Sequence, residues 1–178
     1  VKVRVDGLVL DEFHTYVSLS QGNTLNPFIT ELTGITEDML DPKLNNLPTE
    51  EQALRDLEVF IGDSVVVCHY VPFDLAFLAS RGKIIPEKFL CTRSLVKLIE
   101  PHLSSSLKDV CERNGIKLNH HRALHDVYAT IEVLNIYKNK VGDITRFYNI
   151  IVESPDRPLK YIPHASKVIS FNTVIQNQ

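Results

Sequence analysis

Two short clusters carry the side chains most able to do chemistry. The first is Val65-Val66-Val67-Cys68-His69-Tyr70-Val71-Pro72-Phe73-Asp74-Leu75-Ala76-Phe77-Leu78. It sets one carboxylate, Asp74, just after an apolar run and at the start of a helical pattern. Ligand sites in open α/β sheets lie at the carboxyl ends of strands, so an acid there can hold a cation beside a substrate phosphate. Taken alone, an N-cap or first-turn acid is the commoner use of such a residue. The second cluster is Asn119-His120-His121-Arg122-Ala123-Leu124-His125-Asp126-Val127. With His121 on a loop and Asp126 in the first turns of a helix, both can face one cleft. Asp126 then suits a metal ligand and His121 a general base. A polar helix start with three solvated histidines accounts for this cluster about as well.

The elements around the clusters follow from periodicity. Val1, Val3 and Val5 alternate with Lys2 and Arg4, the period of a half-buried strand. Asp6-Gly7 is a hairpin signal that calls for positive φ at both turn residues, and a second strand is expected from Leu8 through Val17. Asn26-Pro27 opens a helix holding Ile29 and Leu32. Thr36 is the expected N-cap of a second short helix, with Glu37 and Asp38 in its first turn. Thr49 caps a longer one with Leu54, Leu57, Phe60 and Ile61 on one face. The apolar run Ser64 to His69 suits a strand buried on both faces. A helix with Leu75, Phe77 and Leu78 follows, then a short strand at Phe89 to Thr92. Further helices are expected over Leu95 to Ile99, stopped by Pro101, over Ser106 to Arg113, ended by Asn114-Gly115, and from about Ala123 to Tyr137. This order gives an α/β fold with a mixed sheet flanked by helices. From about Gly142 the pattern weakens, and 142–178 reads as an appended tail, with one last strand at Lys167 to Ile175.

The totals bound what such a chain can do. The 178 residues suffice for one domain with a sizeable core. No apolar run approaches the ~20 residues that span a bilayer, so no membrane partner is expected, and Val1 to Asp11 has no signal-peptide pattern. Three cysteines, Cys68, Cys91 and Cys111, without a paired spacing argue against zinc and disulfides and for a cytoplasmic setting. A net charge of −3 argues against a broad non-specific surface for duplex DNA. It is compatible with an enzyme that grips a few nucleotides at a strand end, where metal ions supply positive charge.

In this order, the clusters resemble the DnaQ-like family of DEDDh 3′–5′ exonucleases, which includes the epsilon subunit of bacterial DNA polymerase III and the PolC-type exonuclease. The family's second motif resembles V-x-H-N-A-x-F-D-x-x-F-L, matched by Val67, His69, Phe73, Asp74, Phe77 and Leu78. Its third motif, H-x-A-L-x-D, is matched by His121, Ala123, Leu124 and Asp126. Leu32-Thr33-Gly34-Ile35-Thr36 is similar to the segment before the second motif. The resemblance covers about residues 1–138 and implies a ribonuclease-H-like sheet in a domain of residues 1–141. It implies hydrolysis of single-stranded or frayed 3′ ends, in replication or repair, to nucleoside monophosphates. Two Mg²⁺ or Mn²⁺ ions would be held in part by Asp74 and Asp126, with His121 as base. His69, Tyr70 and Phe77 would form the nucleic-acid-binding rim. Single-stranded DNA, or RNA, is the implied substrate, and a polymerase or helicase the implied partner.

The sequence departs from the family at two places. The family's Asn after the histidine is Tyr70 here, and the D-x-E motif of the usual first strand precedes the opening hairpin, where this sequence has nothing before Val1. Asp11-Glu12 has the wrong spacing to replace it. Three expectations follow: the sequence is part of a longer protein, the domain is a catalytically dead module that binds nucleic acid or protein, or the strand is supplied elsewhere. Lys167 to Val174 is the candidate for that last case and would set Asn172 and Val174 where Asp and Glu belong. Two carboxylates offset two dications poorly, so the chain as written is expected to be slow or inactive.

Overall fold

The computed structural model describes residues 1–20, 22–118 and 123–176. An antiparallel hairpin opens the chain, pairing β1 (Lys2–Val3) with β2 (Val9–Asp11). Its turn differs from the expectation. Only Gly7 has positive φ, at 90°. Gly7 N–H donates to the Arg4 carbonyl at 2.8 Å, and Arg4 N–H to the Leu8 carbonyl at 2.8 Å. This is a three-residue loop, which needs one left-handed residue rather than two. β2 stops at Asp11 instead of reaching Val17, because β1 offers it only two partners.

Three helices follow. α1 (Pro27–Thr33) is capped by the Asn26 side chain, which accepts from Phe28 N–H. α2 (Glu37–Leu40) and α3 (Glu50–Ile61) are capped by the hydroxyls of Thr36 and Thr49, as expected. Phe60 of α3 packs against Phe13 with ring centroids 5.7 Å apart and beneath the Lys2 ammonium, which fixes the hairpin against this helix.

The centre is a strand-helix-strand unit: β3 (Val66–Cys68), α4 (Val71–Arg81) and β4 (Phe89–Cys91). The strands pair in parallel, Val67 opposite Leu90, as two strands linked by a crossover helix must. β4 is fully buried, whereas β3 is only half-buried. The expected full burial of β3 on both faces does not hold: Val66, Val67 and Cys68 are each half-buried.

α5 (Thr92–Ile99) starts directly after β4. With α6 (Leu107–Arg113) and α7 (Ala123–Val141) it closes one core around Leu95, Val96, Val110, Cys111, Val133 and Tyr137. Glu100, just past α5, ties the three helices together. It accepts from Tyr137 Oη at 2.6 Å, Arg113 Nη2 at 3.0 Å and Lys140 Nζ at 2.6 Å.

The segment after Gly142 is not an appendage. β5 (Ile150–Glu153) lies beside β4 and places Ile151 in a second core with Val71, Leu75, Phe89 and Cys91. Asn149, at φ 58°, stitches the two strands. Its N–H donates to the Phe89 carbonyl at 2.9 Å, and its side-chain oxygen accepts from Phe89 N–H at 2.8 Å. β6 (Lys167–Ser170) pairs with β5 in parallel. The proposed replacement of the first strand is therefore overturned. Residues 167–170 pair with β5 rather than with β1 or β3, and Phe171–Gln176 forms a helix, α8, so Asn172 and Val174 are helical. The fold is α/β, with helices around three small two-stranded sheets among the described residues.

Candidate active site

The β3–α4 junction carries most of the candidate residues. Val71 and Pro72 start α4, where proline's fixed φ and missing N–H cost nothing. Asp74 is thereby placed in the first turn, above the end of β3. Part of Asp74 faces solvent, yet the protein packed around its carboxyl pushes its pKa above the ordinary value. The Cys68 thiol, which donates to it, and the charge of Arg157 pull the other way. Burial also pushes the Cys68 thiol well up, so it is a neutral donor.

His69 is anchored inside the protein. Its Nε2 lies 2.9 Å from the Ser105 carbonyl, which can only accept, so Nε2 carries the proton. Nδ1 then accepts from the Thr92 hydroxyl, also at 2.9 Å. Burial lowers its pKa to about 4, against the raising effect of the Ser105 carbonyl, so the ring is neutral. Both nitrogens are spent on holding β3 to α5 and to the loop before α6. Tyr70, the N-cap residue of α4, makes no side-chain cap bond. Its ring instead meets two guanidinium groups, Arg157 at 4.0 Å and Arg93 at 5.4 Å from the centroid. Phe77 and Phe73 stand exposed one turn apart on α4, with Arg81 5.9 Å from the Phe77 ring.

Asp126 sits in the first turn of α7. One of its carboxylate oxygens, Oδ1, is withdrawn from water and has no hydrogen-bond donor among the described residues. A buried carboxylate oxygen is strongly disfavoured without a partner, and a cation is the partner that would satisfy it. His121 lies outside the described residues. Among the described residues no three His, Cys, Asp or Glu side chains gather as a metal-holding group. Asp74 and Asp126 each suit a hard divalent cation by chemistry.

Sequence reasoning missed the arginines. Arg93, in the first turn of α5 at the carboxyl end of β4, is 5% exposed. It donates through Nη2 to Asp156 Oδ2 at 2.6 Å and through Nη1 to Ser154 Oγ at 3.5 Å. Its position after a strand was a usable signal. Nothing in the local sequence marks Arg157.

The family model RNase_T, described as "Exonuclease", matches residues 1–134. The chain belongs to this exonuclease family. It is 37% identical over 139 residues to the DNA polymerase III subunit epsilon of Aquifex aeolicus, covering 74% of this chain and 66% of that protein. It is 35% identical over 144 residues to the PolC-type DNA polymerase III of Clostridium perfringens, covering 78% of this chain but 10% of that much longer protein. Among solved structures, exonuclease X in complex with 5′-overhanging duplex DNA superposes with a TM-score of 0.63 at 21% identity, over 82% of this chain and 83% of that one. This exonuclease-family member thus has the ribonuclease-H-like fold, and such exonucleases generally use divalent metal ions. No helix among its described residues is long and apolar enough to cross a membrane.

Proposed function

We propose that this domain is a 3′–5′ exonuclease that removes nucleoside monophosphates from single-stranded or frayed DNA ends during replication or repair, beside a polymerase. The observation that carries this reading is the orphaned Oδ1 of Asp126, a carboxylate oxygen prepared for a cation at the position of the family's third motif. Asp74 and Asp126 hold the metal, Mg²⁺ or Mn²⁺. A bound pair of such ions would supply the charge that stabilises the attacking and leaving oxygens of an in-line displacement. His121 takes the proton of the attacking water. Phe77 offers an exposed ring for a base to stack on, and Tyr70 lies at the rim. His69 serves by fixing the β3–α4 junction, since both its nitrogens are engaged within the protein.

A second reading, a catalytically silent module that binds nucleic acid or protein, draws on the same site: among the described residues no three His, Cys, Asp or Glu side chains gather as a metal-holding group. Digestion of a 5′-labelled single strand with Mg²⁺ or Mn²⁺, beside Asp126→Ala, separates the two. A ladder shortening from the 3′ end, absent in the variant, supports the exonuclease. No digestion by folded protein supports the silent module or a catalytic set completed by residues outside this sequence.

A further inference from the structure

The turn between β5 and β6 reaches the candidate site. Ser154, Pro155, Asp156 and Arg157 form a tight turn in which Arg157 N–H donates to the Ser154 carbonyl at 3.0 Å. Ser154 is 1% exposed, and the buried Arg93 holds both it and Asp156. The turn is therefore fixed to the start of α5, and Arg157 projects from a rigid base. Its guanidinium lies 4.0 Å from the centroid of Tyr70.

The two arginines at this ring differ in charge balance. Arg93 has Asp156 as its counter-ion at 2.6 Å. Arg157 makes no ion pair and no side-chain hydrogen bond to another described residue, and is exposed to solvent. Its charge nevertheless reaches Asp74 and His69. A guanidinium resting on an aromatic face has lost much of its rotamer freedom while its edge N–H groups remain free. That edge matches the oxygens of a phosphate, which it can meet with two parallel hydrogen bonds. Arg157 lies beyond residues 1–134, which the family model matches.

We propose that Arg157, seated on Tyr70, grips a backbone phosphate of the single-stranded DNA end held near Asp74, so that the segment after residue 142 is part of the substrate site. This inference rests on the exonuclease reading and deepens it. Tyr70 is the platform for the arginine, and the pinned turn is the device that holds both.

The test is equilibrium binding of a 5′-fluorescein oligothymidylate to the 178-residue chain in EDTA, read by anisotropy across about 50–200 mM KCl. Wild type is compared with Arg157→Ala, with Arg157→Gln, which keeps a stem over the ring, and with Lys160→Ala as a control for loss of one exposed tail charge. We expect about tenfold weaker binding for both arginine variants, with the slope of log K against log salt shallower by about 0.7, the loss of one single-strand phosphate contact. The lysine variant should match wild type. The inference is overturned if wild type binds while the arginine variants stay within about twofold of it at an unchanged slope, or if Lys160→Ala loses as much. Wild type that binds no oligothymidylate in EDTA, and none when Ca²⁺ replaces the chelator and supplies the cation charge, sinks the nuclease reading itself, a failure distinct from loss of binding in the arginine variants alone. Thermal unfolding confirms that each variant is folded, and Arg157→Gln decides should the alanine variant not be.

Discussion

Arg93 Nη2 lies 2.6 Å from Asp156 Oδ2, joining a nearly inaccessible cation at the start of α5 to a carboxylate on the β5–β6 turn. The Asp156 pKa is held below the ordinary range, first by the Ser154 hydroxyl and then, against burial, by Arg93 and Lys97. Asp156→Ala leaves the guanidinium buried without its counter-ion. More than half of the Asp156 side chain is exposed, so water replaces part of the loss, and the cost should be about 1 kcal/mol. Adding Arg93→Leu removes the stranded charge and should recover stability rather than add a second loss. Urea unfolding of the two single variants and the double variant checks this. Additive losses would mean that the pair does not act as a unit.

His69 predicts a pH dependence. Its folded pKa is about 4, below the ordinary 6.5, so between these values the unfolded chain binds the proton that the folded ring refuses. Stability is therefore unaffected above about pH 6.5 and falls as pH drops toward 4, by about 3 kcal/mol at full effect. In His69→Gln the amide can donate to the Ser105 carbonyl and accept from Thr92 without titrating. That variant should be less stable at pH 7 and lose less between pH 6.5 and 4. Parallel unfolding curves for both proteins over that range would rule out a buried neutral His69.

How much of this was legible varies with the range of the interaction. Thr36 and Thr49 were readable as caps because a cap bonds its own next turn. Asp74 and Asp126 were readable because a motif is local and its spacing survives in sequence. The hairpin was found but its turn misjudged, since Asp6-Gly7 fits both a two-residue loop and the three-residue loop that forms. β5 went unseen because Ile150–Val152 is a short apolar run whose strand character depends on Asn149 docking to Phe89, a contact no local pattern encodes. The Arg157–Tyr70 contact was illegible for the same reason: the two are brought together only by parallel pairing and the Arg93 anchor.

Glu100 is the hub of α5, α6 and α7. Burial would raise its pKa, but Lys140, Tyr137 and Arg113 together lower it to about 2. A depressed folded pKa means stability present above about pH 4.5 and lost as pH falls toward 2. Glu100→Gln keeps the shape and removes the charge, and should cost about 1–3 kcal/mol at pH 7. Denaturation at pH 7 and pH 3 checks it, since the gap between wild type and variant should narrow at the lower pH. A gap that stays constant would mean that the ionised carboxylate contributes nothing.

Asp126 Oδ1, buried without a donor, predicts opposite effects with and without metal. In EDTA, Asp126→Asn should be at least as stable as wild type, because it removes a charge on an oxygen that has no hydrogen-bond donor among the described residues. With Mg²⁺ or Mn²⁺ at about ten times the dissociation constant, wild type should gain about 1.4 kcal/mol by mass action, and the variant little. The gain should also depend on pH. Burial raises the Asp74 pKa, so a proton competes with the cation at a pH where an ordinary aspartate is already ionised. Metal-induced stabilisation should therefore weaken on acidification sooner than a normal carboxylate pair would allow. Thermal unfolding of both proteins, with and without divalent ion, at about pH 7.5 and again about two pH units lower, reads all three effects. Equal gains in wild type and Asp126→Asn would place the ion elsewhere and remove the orphaned oxygen from the metal site.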